Sequence, residues 1–428
     1  MRDVSLWGAL LGVEKTVIER LEYDEDADRV VAHVRPRSRA RGCGRPCPGY
    51  DAGAGRRRWR ALDLGTIRTV LEADAPRVTC REHGVVVAAV PWARHDAGHT
   101  YAFDETVAWL VTQSSKTTVT ALMRVAWRTV GSIITRVWAD VEAATDRLEG
   151  LARIGIDEIS YKKGHKYLTV VVDHDARRLV WAAPGRDKAT VSAFFDLLGQ
   201  DRCAKITHVS ADGADFIDAV VAAKCPNAVR VADPFHVVKW ATDALDEVRR
   251  SAWNEARQLA KGEPKRGRGR PGADAPPRPG SQRAAALKGA RYALWKNPED
   301  LTEGQQVKLA WVAATDPRLH RAYLLKEGLR VIFRMTHAEA AVALDRWLAW
   351  ARRCRIPAFV KLQKSIVKHR ARILAAIEHR LSNGLVESTN TKVRLITRMA
   401  YGFASPEPLI ALALLSLGGH RPSLPGRK

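Results

Sequence analysis

Three carboxylates stand where a chain of this length could do metal-assisted chemistry. Asp157 follows the apolar run of RIGIDEIS, Asp212 ends KITHVSADG, and Glu387 opens NGLVESTNTKVRLITRMAYGF. Each has an ordinary explanation taken singly. An acid in the first turn of a helix, for instance, is favoured by a few tenths to about 1 kcal/mol. Together they match what two divalent ions need. Carboxylates from neighbouring strand ends and a nearby helix can hold two ions about 4 Å apart, one on each side of an in-line phosphoryl displacement. Magnesium takes few protein carboxylates and shares its other positions with water and substrate phosphate. Lys392, Arg394 and Arg398, downstream of Glu387, are then phosphate contacts that position a strand without reading its sequence.

The elements that must present these acids are legible in order. RIGIDEIS is a strand with Asp157 near its end. YLTVVVDHDARRLVWAAPG is two apolar strands joined by HDARR, a hairpin signal. KATVSAFFDLLG is an amphipathic helix, KITHVSADG a fourth strand and DFIDAVVAAKCP a helix closed by Pro226. AVRVADPFHVV is a fifth strand running into a helix. Gly213 lets the chain turn sharply beside Asp212. Asp233 also ends a strand and is the main rival to Asp212, and Glu158 is a lesser rival to Asp157. Asn383-Gly384 punctuates the start of the helix that carries Glu387. The closing PEPLIALALLSLGG is an apolar helix, expected on the sheet.

The N-terminal third has its own chemistry. DRVVAHV is a strand, and the chain then turns basic. Cys43 and Cys47, then Cys80 and His83, form two short-spaced pairs separated by a β-rich stretch. Thiolate and imidazole are the ligands a structural, tetrahedral zinc prefers. The alternative is buried thiols beside a surface histidine, and His95 and His99 compete with His83. FDETVAWLVTQ reads as a helix. TTVTALMRVA, a turn at Trp127-Arg128 and TVGSIITRVWADVEAA, opened by Thr129, read as a helix-turn-helix whose second helix enters the major groove. An ordinary helical connector is equally compatible. In the DNA-binding reading, Thr129 and Arg136 face the nucleic acid.

Composition narrows the partner. The chain has 428 residues with 46% hydrophobic content, and 70 Lys+Arg against 47 Asp+Glu give a formal charge of +23. That balance favours a polyanion. The apolar run at Leu409–Leu417 is far short of the roughly 20 residues a membrane span requires, and the start lacks a cleavage signal, so nucleic acid rather than a membrane is the expected partner. Six cysteines in so long a chain do not make a disulfide framework. Residues 261–291, rich in Gly, Pro and Arg, read as a disordered basic linker. Arg268 and Arg270 within it also resemble the core of a minor-groove arm for A·T-rich DNA. Helices resume at Arg291, with Trp295, Trp311, Trp347 and Trp350 taken as core.

GIDE, SADG, DPFHVVK and NGLVESTNTKVRLITRMAYGF resemble the DDE transposases of bacterial insertion sequences, closest to the ISL-three group, over nearly the whole chain. The resemblance implies a multidomain α/β protein with a ribonuclease-H-like mixed-sheet catalytic core and an all-α insertion, preceded by a small zinc module and a helix-turn-helix. Expected boundaries are a strand segment at 1–40, the zinc module at 41–95 and the helix-turn-helix at 100–150. The core follows at 151–240, then the helical insertion at 241–382 and the closing core helices at 383–420. By motif, Asp157, Asp212 and Glu387 would be the catalytic triad. Asp233 and His236 would support it, with Pro234 standing where the family usually has arginine. The implied cofactors are two magnesium or manganese ions and one structural zinc. The implied partners are double-stranded DNA, as terminal inverted repeats and target, and further copies in a dimer or larger assembly. The expected location is the bacterial cytoplasm, on the nucleoid. The expected reaction is strand cleavage and strand transfer. The alternatives are a DNA-binding regulator that lost catalysis and a structure-selective nuclease on the same core.

Overall fold

The computed structural model describes residues 3–37, 45–212, 214–264 and 277–427. It divides into two compact units, Met1–Arg147 with Thr391–Lys428, and Leu148–Asn390.

In the first unit, the stretch expected as a strand segment is a helix, Asp3–Leu10, followed by two strands, Thr16–Asp24 and Arg29–Pro36. These strands join Arg68–Asp74 and Arg56–Arg60 in a four-stranded sheet. Trp59, Leu71 and Ala32 stand side by side across three of its strands and are buried on one face. A second, three-stranded sheet pairs Gly49–Asp51, Arg77–Cys80 and Gly84–Val87.

Helices Tyr101–Gln113, Lys116–Met123 and Trp127–Ala144 follow. The turn between the last two lies at residues 124–126, earlier than expected. Arg124 takes a left-handed backbone (φ 52°) that ends one helix, and the next begins at Trp127. Thr129 is therefore inside the helix and does not open it. Val130, Ile133, Ile134, Val137 and Trp138 recur at helical spacing and are buried. The apolar helix Glu407–Leu417, expected on the sheet, packs on Trp127–Ala144 and Tyr101–Gln113. Its buried residues run nearly continuously from Leu409 to Leu415, so it needs cover on most sides, and the helices supply it. The closing helices thus divide. The chain from Thr391 onward groups with the first unit, whereas residues up to Asn390 group with the second.

The second unit is built on a five-stranded sheet. Its strands are β1 (Arg153–Lys162), β2 (Lys166–Asp173), β3 (Arg178–Pro184), β4 (His208–Ala211) and β5 (Val229–Ala232), in the order β3-β2-β1-β4-β5. The first three pair antiparallel through tight turns, and β4 and β5 join parallel to β1. Parallel pairing requires crossovers, which helices Lys188–Leu198 and Asp215–Lys224 provide. Ile154, Ile156, Phe194, Phe195 and Val220 share the core between these helices and the sheet.

β5 runs into a long helix, Pro234–Ala260. The helices through Arg370–His379 pack with it in one apolar cluster. Trp347 is buried there, but Trp350 is 40% exposed and is not core. The stretch 261–291 is not wholly a linker, because Pro279–Gly289 is a helix. Ala284 and Leu287 bury one side of it, and the Glu263 carboxylate accepts the Gly280 and Ser281 N–H groups at its start. A few small apolar residues suffice because the neighbouring long helix supplies the rest of the surface. Arg268 and Arg270 lie outside the described residues.

Candidate active site

The register of the parallel strands decides the site. Ala211 pairs with Ile156 on one side and with Ala232 on the other. The next residue on each is an aspartate, so Asp212 and Asp233, just past the carboxyl ends of β4 and β5, stand level with Asp157, which lies midway along β1 and not near its end as expected, because the β1–β2 pairing continues to Lys162. Adjacent members are separated by about one strand spacing, ~4.8 Å. Strand carboxyl ends are where open α/β sheets bind ligands. The pleat also disposes of Glu158. Ile154, Ile156 and Glu158 share one face by period two, while Gly155 and Asp157 share the other.

The helix Gly384–Met399 brings Glu387 to that second face. It can do so because position 155 is glycine. A Cβ there would stand 2.6 Å from Val386 Cγ2, 2.8 Å from His174 Nε2 and 3.0 Å from Val172 Cγ2. The seating is fixed at two further points. The Asn390 amide donates to Asp157 Oδ2 at 2.7 Å, and the Asn383 N–H donates to Asp233 Oδ1 at 3.1 Å. Asn390 follows Glu387 by three residues, so both lie on one helix face. Asn390 and the site contact of Asn383 are additions to the residues expected from the sequence. Their signal was their place in the glutamate motif, on the side of the helix that carries the acid.

His236 sits among the acids in the first turn of Pro234–Ala260. Asp233 caps that helix by accepting the His236 N–H at 3.2 Å. The His236 Nδ1 donates to Asp233 Oδ2 at 2.7 Å and stands 3.0 Å from Asp212 Oδ1. Asp212 and Asp233 hold the imidazolium up to about 10. Burial, with the Asp212 charge adding to it, pushes the Asp157 carboxyl up to about 7. Burial, then the charges of Asp233 and Asp212, raises Glu387. Burial opposes ionisation of Asp233, but the bonds from His236 and Asn383 outweigh it and hold that carboxyl low.

Two observations bear on which groups could hold a cation. Among the described residues, Asp233, His236 and Glu387 form the one group of three such side chains whose ligand atoms lie within 4.8 Å of one another. Proximity thus favours Asp233. Lone pairs favour Asp212. Asp233 is 3% exposed and both its oxygens accept hydrogen bonds, including backbone N–H groups, whereas buried Asp212 Oδ1 meets, among the described residues, the His236 imidazole at 3.0 Å and no backbone donor. Asn390 Oδ1 is buried and unbonded among the described residues. An oxygen already committed to backbone and imidazole donors has less to give an ion. Four carboxylates around one imidazolium leave the site short of positive charge, and hard oxygen donors suit divalent magnesium or manganese.

The other expected contacts divide. Lys392, Arg394 and Arg398 are exposed. Arg136 is committed within the protein. Its guanidinium donates to both oxygens of the fully buried Asp104, at 2.9 and 3.0 Å. A buried carboxylate needs such a partner, and Arg136 and Arg94 supply it. Thr129 is half-buried. The exposed stripe of Trp127–Ala144 is instead Arg128, Ser132, Thr135 and Ala139.

In the cysteine module, the Thr79 N–H donates to the Pro48 carbonyl at 3.0 Å, and Gly49 pairs with Val78. That ladder carries Cys47 toward Cys80. Cys80 Sγ lies 3.5 Å from His83 Nδ1, while Cys47 Sγ donates to the Arg45 carbonyl at 3.4 Å. His99 stacks on Phe103, and His95 faces Asp96. Cys43 lies outside the described residues. No helix among the described residues is long and apolar enough to cross a membrane.

Comparison with known proteins finds three matched segments. Residues 154–413 match a transposase family model, residues 88–138 the helix-turn-helix domain of transposase family ISL3, and residues 42–83 the zinc-finger of transposases IS204/IS1001/IS1096/IS1165. The chain is 64% identical to the transposase for insertion sequence element IS1557 of Mycobacterium tuberculosis, over all of this chain and 98% of that protein. It is 28% identical to the transposase for insertion sequence element IS1001 of Bordetella parapertussis, over 95% of this chain and 96% of that protein. A family model spanning more than half the chain, with the four acids inside it, leads to one conclusion: the chain belongs to the ISL3 family of DDE-type insertion-sequence transposases.

Proposed function

We propose that the protein binds the terminal inverted repeats of its insertion sequence and, on a ribonuclease-H-like core, cuts a DNA strand and joins it to target DNA in the bacterial cytoplasm. The observation that carries this reading is the level placement of Asp157 and Asp212 on neighbouring parallel strands, with Glu387 delivered over them by a helix seated on Gly155. Asp157, Asp212 and Glu387 would hold two magnesium or manganese ions, which supply charge stabilisation for the attacking and leaving oxygens. Asp233 and His236 act as support. Asp233 anchors the helix of His236 and the start of the Glu387 helix, and the imidazolium offsets part of the acids' charge.

Asn390 orients Asp157 through its amide. Lys392, Arg394 and Arg398 contact backbone phosphates and hold the scissile bond in line. Water attacks phosphorus, the bond to the 3′-oxygen breaks, and a free 3′-hydroxyl and a 5′-phosphate result. That hydroxyl then attacks a target phosphodiester and displaces a 3′-oxygen there, so the bond count is unchanged. The cysteine module fits a structural zinc in part. Cys80 and His83 already face one another, and Cys47 and Cys43 would complete the four ligands. Two element ends are joined in one event, which favours a dimer or larger assembly.

The test is cleavage of a labelled duplex carrying the native element end, with magnesium or manganese, by wild type, Asp212→Ala and Asp233→Ala. The expected result is complete loss with Asp212→Ala and a slowed but measurable nick with Asp233→Ala. The reverse pattern would move the second catalytic aspartate one strand over. A wild type that binds the end and never nicks it would leave a DNA-binding regulator.

A further inference from the structure

Lys116 opens the first helix of the helix-turn-helix, behind the Ser115 cap, and is only 2% exposed. A buried ammonium ordinarily meets a carboxylate. This one meets rings. Its Nζ lies 3.3 Å from the Trp127 ring centroid and 5.4 Å from that of Phe403. Among the described residues, no hydrogen bond or ion pair takes up its three N–H donors. Cation–π attraction of about 0.5–2 kcal/mol offsets only part of the cost of desolvating the charge, and burial pushes the ammonium down to about 8.

The neighbouring helix makes room for this charge. Gly131 lies in the interior of Trp127–Ala144, where glycine costs about 1 kcal/mol relative to alanine. A Cβ there would stand 3.4 Å from Lys116 Nζ and 3.5 Å from Pro408 Cγ. The ammonium opens into a groove of about 630 Å³, along the exposed stripe of that helix, which Arg128, Ser132 and Thr135 line. Ser405 and Glu407 line it as well. Arg136 also reaches the groove, but Asp104 occupies its guanidinium. Glu407 is the acid in the lining. Lys116 and Arg128 outnumber it, and the two hydroxyls of the stripe, which donate to the Arg128 and Gly131 carbonyls at 3.4 and 3.1 Å, could turn to a phosphate by rotating about χ1.

We propose that this groove seats a backbone phosphate of the DNA held by the helix-turn-helix, with Lys116 Nζ donating to a phosphate oxygen and Arg128, Ser132 and Thr135 flanking it. The inference rests on the end-binding reading above and adds the residue and the group it grips. A phosphate would give the unused donors an acceptor and the buried charge a counter-charge, which the rings cannot do.

The test is equilibrium binding of an element-end duplex and of an unrelated duplex across roughly 50–200 mM salt. Wild type, Lys116→Met and Lys116→Arg are compared, with folding checked by near-UV circular dichroism. Lys116→Met should weaken binding to both duplexes about tenfold and reduce the slope of log K against log salt by about 0.9, the value for one phosphate. Lys116→Arg should keep most of the slope. An unchanged slope in folded Lys116→Met overturns the proposal and leaves Lys116 as a pin between two rings.

Should Lys116→Met not fold, wild type alone decides. Lys116 acylation by an amine-reactive ester, followed by mass spectrometry, should be suppressed in the saturated DNA complex. Equal labelling with and without DNA overturns the proposal, as does equal suppression by inorganic phosphate alone, which would assign the groove to a free anion. A wild type that binds no duplex overturns the end-binding reading itself, a result distinguishable from an unchanged slope.

Discussion

Gly155→Ala tests whether the seat of the glutamate helix sets the rate. The new methyl would meet Val386 Cγ2 at 2.6 Å, with His174 Nε2 and Val172 Cγ2 at 2.8 and 3.0 Å. Ordinary carbon contacts are 3.5–4.0 Å, so something must give by roughly 1 Å. Val172 belongs to a central strand, and His174 is held by Ser210 at 2.8 Å. The helix is the freer partner, and Val386 is adjacent to Glu387. Overpacking of this kind costs about 1–3 kcal/mol. A displacement of about 1 Å at a reacting centre can cost ~100-fold in rate.

Gly155→Ala should therefore fold with a lowered melting temperature, bind the element end as wild type does, and cleave it about 100-fold more slowly in single turnover. Gly155→Ala with Val386→Ala should recover part of that loss, because the nearest clash is removed. Cleavage within about threefold of wild type by folded Gly155→Ala would refute the reasoning, because a shift of that size could not then be limiting.

Asn390→Ala should slow cleavage by about 10- to 100-fold with end binding intact, since Asp157 loses the donor that orients it; single-turnover kinetics beside an anisotropy titration would check this. Arg136→Ala should lower stability by about 2 kcal/mol or more, because it strips the bidentate partner from buried Asp104; a thermal melt that does not move would contradict that role. Cys80→Ser should lose the zinc that elemental analysis finds at about one per chain in wild type; a metal-free wild type would end the claim.

Lys116 also makes stability depend on pH. Its folded value, about 8, lies below the ordinary 10.5, so the unfolded chain binds more protons between these values and stability rises with pH there. Arg128, Glu407 and the paired Arg136 are the charged groups around it. The gain from pH 7.5 to 9.5 should be about 2 kcal/mol, present in wild type and absent in Lys116→Met. Denaturant melts at both pH values measure it, and equal slopes in the two proteins would refute it.

Much of the core was readable because local pattern and fold agree. The hairpin at HDARR and the crossover helices follow from period and punctuation, whereas β1 runs on past Asp157 to Lys162 because it pairs with β2 along that length. The acids are readable because each closes an apolar run or opens a helix. The errors came where packing overrides local signals. Pro279–Gly289 has little apolar surface of its own and is helical because a long helix lies beside it. Arg136 sits one turn along the helix from an exposed stripe and looks like a DNA contact. Only the buried position of Asp104, thirty-two residues away in sequence, shows where the guanidinium goes. Trp350 has the spacing of its buried neighbours but falls on the outward side of its helix.

The sequence by itself determined the family, the order of strands and helices, and the carboxylates that could work together, because these depend on residue type and short-range spacing. Tertiary structure alone decided which oxygens remain available. Asp212 and Asp233 are alike in sequence, each closing a short strand. Strand register sets them level, and the His236 and Asn383 backbone donors then commit Asp233, whereas Asp212 Oδ1 meets the His236 imidazole at 3.0 Å and no backbone donor among the described residues. That distinction rests on a donor 150 residues away in the chain, and a contact at that separation exists only once the chain has folded.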